Sequence, residues 1–210
     1  MTLWTRLATW ALQGMVRRRW GFPPRIIPAV VEQLGAASAL WWWVETMAGY
    51  ERARERLGPL RTHLLVTGIA LLHGCRYCAR GHARALELVY FARFDRLFPL
   101  DEDALLDLQG LDDLSLRTRF DRLLWDAGLP DELPTFDRMV ALATGQAIGS
   151  TPEDDAIDHL VQLVAVLGVC STRGAVPPDQ AHDPINKDAA LRARHRQARA
   201  LERASARFVA

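Results

Sequence analysis

Lysine is almost missing from this 210-residue chain: Lys187 is the only one, and the rest of the positive charge is arginine. That bias marks a GC-rich genome, which points to a bacterial source and says nothing of mechanism. A surplus of either charge is also missing. Twenty-six basic residues face 25 acidic ones, for a formal net charge of +1, so the chain as a whole has no electrostatic reason to seek nucleic acid or an anionic surface. Cysteine is scarce. Three cysteines, two of them spaced C-x-x-C, exclude the even-numbered framework of a small secreted disulfide scaffold and favour a reducing compartment, the cytoplasm. No run of about 18 or more uncharged apolar residues occurs; the nearest, residues 26–47, is interrupted by Glu32 and Glu45, and no membrane span is expected. The apolar N-terminus is no secretory signal, because Arg17, Arg18 and Arg19 follow its apolar stretch and Arg6 interrupts it. Alternating strand patterns with hairpin turns are absent as well, so the chain is expected to be all-α.

What is present reads as a series of helices. With 50% hydrophobic and 24% charged residues, a sizeable core is expected, and residues 1–210 are taken as a single all-helical domain. Leu3, Leu7, Trp10, Ala11 and Val16 recur at helical spacing over 2–19, until Pro23 and Pro24 stop the helix. This helix is expected to pack on its own subunit or a neighbour, with a membrane surface as the alternative. Residues 28–57 predict one long or broken helix with Gly58 as its C-cap. Within it, Trp41, Trp42 and Trp43 point in three directions, which predicts burial on several sides. Residues 60–73 are too apolar and too long for a strand, and predict a buried helix; 75–95 predict the next. Further helices follow, one of them opened by Thr151, Pro152 and a run of acids, and a strongly charged helix from 187 onward closes the chain. Only 167–187 has sustained loop chemistry, as a lid, an arm to a neighbour or a connection.

The chemistry concentrates in "GCRYCARGH", residues 74–82. On a helix starting near Cys75, the residues Cys75, Cys78 and His82 lie within roughly 60° of one another, on one face. A helix N-terminus favours thiolate over thiol, Arg76 and Arg80 add positive charge, and a histidine one turn beyond Cys78 can relay its proton. The spacing suits a dithiol that closes reversibly to a disulfide. Two other readings of the same residues stay open. They could hold zinc with His73 or a distant side chain, although no second C-x-x-C or H-x-x-x-H accompanies them. They could also be an inert structural set. A c-type haem is excluded because Ala79 stands where that motif needs histidine.

The stretch "HLLVTGIALLHGCRYCARGHARAL" resembles the core motif of the AhpD-like, or carboxymuconolactone decarboxylase, superfamily: a buried helix, a turn, then C-x-Y/H-C-x-x-x-H at the start of the next helix. The resemblance covers about residues 61–90, and the cysteine pair points to the alkylhydroperoxidase branch. It implies an AhpD-like helical bundle and a peroxidase cycle in which Cys78 attacks the peroxide and becomes a sulfenic acid, and Cys75 resolves it as a disulfide. His82 belongs to the implied proton relay, and Tyr77 occupies a place that is histidine or tyrosine in relatives. The implied partners are a hydroperoxide or disulfide substrate, a dithiol reductant protein and further copies of the chain in a trimer or hexamer. No cofactor or metal is needed. A structural zinc protein, or a helical assembly protein whose chemistry has lapsed, is the alternative.

One departure stands out. Relatives usually carry a glutamate twelve residues before the first cysteine, to start the relay; here that position is His63, which either acts as the base or leaves the relay broken. A second similarity runs through 150–175, where Asp158 stands twelve before Cys170 and Arg173 stands where a second cysteine would be. It is either a decayed repeat or a helix with a buried apolar cysteine.

Overall fold

The computed structural model describes residues 2–207; Phe208, the last residue of the expected C-terminal helix, lies outside them. Ten α-helices and two 3-10 turns account for the regular structure, with no strand among the described residues. They are α1 (Leu3–Trp20), α2 (Ile26–Leu34), α3 (Ala36–Leu57), α4 (Pro59–Leu72), α5 (Arg76–Phe94), α6 (Glu102–Leu106), α7 (Asp113–Ala127), α8 (Leu133–Ala143), α9 (Pro152–Arg173) and α10 (Ala189–Arg207). The all-α expectation holds.

Local chemistry sets the boundaries. The stretch expected as one long or broken helix is broken at Gly35, whose φ of 81° and ψ of 152° leave the helical region for one that glycine enters most easily. Gly58 caps α3, its N–H donating to the Arg54 carbonyl. At the start of α9, Thr151 and Asp154 form a reciprocal capping box with Pro152 in the first turn.

Helix α4 is the centre of the molecule. Beyond Arg61 it is almost continuously apolar, and Leu60 and Thr62 through Leu71 are all buried, as a helix without an extended polar face must be. It packs against α3, α5, α8 and α9. Helix α9 is the one described helix long and apolar enough to cross a bilayer; here it lies against α2, α3, α4, α5 and α8, with Ile157, Leu160, Val164 and Leu167 buried.

The three adjacent tryptophans do not share one environment. Trp43 is buried and Trp42 half-buried, but Trp41 is 71% exposed. Burial on several sides was expected; α3 lies at the surface, so only one of its faces meets the core. The segment between α9 and α10 folds back across the start of α5 and carries a 3-10 turn at Pro184–Lys187.

Candidate active site at the Cys75–Cys78 pair

The site begins with a helix stop. His73, Gly74 and Cys75 end α4 in a Schellman turn: the Cys75 N–H donates to the Ala70 carbonyl (2.8 Å), the Gly74 N–H donates to that of Leu71 (3.3 Å), and Gly74 takes a φ of 70°. The reversal makes Cys75 the N-cap of α5, where its Sγ accepts from the Cys78 N–H at 3.2 Å. Cys75 and Cys78 are joined as a disulfide with Cα atoms 5.3 Å apart, and both are buried. Cys75 Sγ also lies 3.6 Å from Ser171 Oγ of α9. The helix N-terminus and an amide donor therefore act on Cys75, while His82 stands one turn beyond Cys78.

His82 opens a buried polar chain. Its Nδ1 is 3.0 Å from Nδ1 of His63 on α4; His63 Nε2 is 3.0 Å from Asp183 Oδ2; and Arg54 of α3 donates to the same carboxylate through Nε (3.1 Å), with Nη2 in ion-pair contact at 3.0 Å. Burial pushes the Asp183 carboxyl up, but the hydrogen bond from His63, that from the Ile185 N–H and the charge of Arg54 hold it below the usual carboxylate range. An ionised Asp183 only accepts, so His63 Nε2 carries a hydrogen. When the His63 ring carries no second hydrogen, its Nδ1 accepts from His82 Nδ1–H, which leaves His82 Nε2 with a lone pair. Burial, reinforced by His63 and His182, holds His82 well below the usual imidazole pKa. A proton arriving at His82 Nε2 can thus be passed on by moving the Nδ1 hydrogen to His63, placing the positive charge beside Asp183. His63 is the middle member of this hydrogen-bonded chain, and the carboxylate sits one step further out, on the loop.

That loop, residues 174–188, was not assigned a functional residue by the sequence reading, yet it supplies Asp179, His182 and Asp183. Tyr77 OH donates to Asp179 (2.9 Å), and burial and that carboxylate raise its pKa well above the usual phenol value; Tyr77 ties down the loop and makes no hydrogen bond to the relay. The His182 ring lies directly over Gly81, where a Cβ would come within 2.2 Å of it, and the His182 backbone N–H donates to the Gly81 carbonyl at 3.1 Å. Asp183 fixes its own turn by accepting from the Ile185 N–H at 2.8 Å. Titratable residues in the one long loop of a helical chain were the available signal, together with a glycine inside α5 that helix propensity does not explain.

The remaining sequence candidates lie elsewhere. His73 is exposed at the end of α4. Among the described residues no group of three or more His, Cys, Asp or Glu side chains could hold a metal ion. Cys170 is a buried free cysteine whose pKa burial pushes up, and α9 runs through it unbroken, with no counterpart of the turn before Cys75. No family model, curated protein or solved structure matches the chain.

Proposed function

We propose that the chain is an AhpD-like thiol oxidoreductase that consumes hydroperoxides through Cys78 and Cys75. The observation that carries this reading is a closable cysteine pair one helical turn from the open end of a buried His82–His63–Asp183 relay. In the reduced chain, the Cys78 thiol gives its proton to His82 Nε2 and the thiolate attacks the outer oxygen of ROOH. The O–O bond breaks, an S–O bond forms, and the departing RO⁻ takes the proton back as ROH. Cys75 thiol then attacks the Cys78 sulfenic acid; the disulfide forms and water leaves. An external dithiol protein restores both thiols and departs as its own disulfide. In this cycle the relay acts as general base and then general acid, and the chain works in a reducing compartment as a homo-oligomer.

The test is a thiol count on anaerobically reduced protein before and after one equivalent of an alkyl hydroperoxide. Two thiols per chain are expected to disappear in the parent, and no Cys75–Cys78 disulfide is expected to form in Cys78→Ser. Thiols that stay reduced and titratable in the parent would sink the proposal.

A further inference from the structure

Eight buried side-chain polar atoms have no hydrogen-bond partner among the described residues, and three of them, Trp20 Nε1, Tyr50 OH and His182 Nε2, belong to side chains bordering one cavity. These three residues are only 6%, 3% and 3% exposed. Orphan polar atoms are rare and costly inside a protein, so their gathering at one place points to a polar guest. The rest of the lining includes Ile26, Trp43 and Leu163, which offer no hydrogen bond suited to such a guest beyond the Trp43 ring nitrogen. His82 borders the same cavity, so the relay begins where the guest would lie.

The cavity measures about 20 Å³. A water needs about 10–15 Å³ on this measure, so the space suits a group of one or two non-hydrogen atoms. It does not suit an aryl ring or an acyl chain. Two bonded oxygens fit both the size and the partners: Trp20 Nε1–H donates, the Tyr50 hydroxyl donates or accepts, and a neutral imidazole does one or the other at Nε2. The Trp20 ring stacks on His182 with centroids 5.2 Å apart, and Gly81 leaves room for His182 against α5, so the cavity wall is fixed from two sides.

We infer that this cavity is the seat of the hydroperoxide group, held by Tyr50, Trp20 and His182 beside His82, and that the accepted class is hydrogen peroxide and the smallest alkyl hydroperoxides. The inference rests on the proposed peroxide chemistry, and binding can be read without turnover. In the Cys78→Ser chain, histidine ring resonances are followed while hydrogen peroxide or, separately, cumene hydroperoxide is added. Hydrogen peroxide is expected to shift the His182 and His82 signals saturably, cumene hydroperoxide to leave them unmoved, and Tyr50→Phe to weaken the apparent affinity about tenfold, as loss of one hydrogen bond would. No saturable shift, or equal shifts with both peroxides, overturns the inference even if the parent loses its thiols to peroxide. A saturable, size-selective shift alongside a parent whose thiols stay reduced upholds the binding site and removes the catalytic reading instead.

Discussion

Helix α5 carries two buried polar clusters, and they are built on opposite plans. Near its start, His82 meets His63, Asp183 and Arg54. Further along, Glu87 is fully buried and accepts from the Glu102 N–H (2.7 Å) and from Arg199 Nε (3.0 Å) and Nη2 (2.8 Å), while Arg199 Nη2 also donates to the Phe98 carbonyl at 2.6 Å. His195 Nε2 stands 3.2 Å from the same carboxylate but off the hydrogen-bond direction. Both clusters tie α5 to the last part of the chain. In the Glu87 cluster a carboxylate held by a guanidinium and an amide fastens α10, and burial and that carboxylate push the neighbouring Glu102 up to about 7. In the His82 cluster two imidazoles share a hydrogen and one ring nitrogen keeps a lone pair, so the same kind of burial yields a path for a proton. What separates the two clusters is the contact between two imidazoles, which the Glu87 cluster lacks.

The contrast can be broken from either side. The largest effect is expected at the fastener: Glu87→Ala leaves Arg199 buried with only the exposed Glu202 as a carboxylate partner and should cost about 3–5 kcal/mol of stability, measured by urea unfolding, with the rate of peroxide-driven disulfide formation per folded chain unchanged. A fall in that rate would mean the two clusters are coupled. At the relay, Asp183→Asn removes the charge that holds the proton on His63 and should slow disulfide formation about 100-fold, the low end for general acid–base catalysis, while leaving most of the stability intact. An unchanged rate would make the relay ornamental. A smaller effect separates the clusters by pH. His182 is held neutral by burial and its pKa is pushed down to about 3 from an ordinary 6.5, and His82 is lowered for the same reason. The unfolded chain therefore takes up these protons first as pH falls. Stability present above pH 6.5 is lost below it, by about 2 kcal/mol for His182 between pH 6.5 and 5, with His82 acting in the same direction, and unfolding midpoints across that range should show it; His182→Gln should remove its share. Gly81→Ala, which forces the His182 ring off α5, should cost about 1–3 kcal/mol as overpacking does, read as a lower melting temperature.

Most helices were legible because their ends carry local signals. Thr151 and Pro152 start α9, Gly58 stops α3, and the uniform apolarity of 60–73 leaves α4 no place but the interior. The tryptophan triplet was misread because three adjacent directions say nothing about which face of α3 the core occupies. In the candidate site, Cys75, Cys78 and His82 are neighbours within two helical turns, so spacing alone brings them together, and His63 was reached by counting along the resembling motif. Asp183 and His182 were not reached. They meet His63 and Gly81 across about a hundred residues of chain, from a loop with no periodicity to read, and only the folded backbone brings them there.

The loop's place in the chain has a consequence for biosynthesis. A protein emerging from the ribosome folds from its N-terminal side, and the helices through α9, with the cysteine pair between α4 and α9, are synthesised before residues 174–188. During that interval the two thiols have neither Asp183 to anchor a relay nor His182 to roof the cavity. The nascent chain thus carries its cysteines, His82 and His63 without the carboxylate that anchors them, and gains the assembled site only when residues 174–188, with Asp179, His182 and Asp183, have been laid over α5.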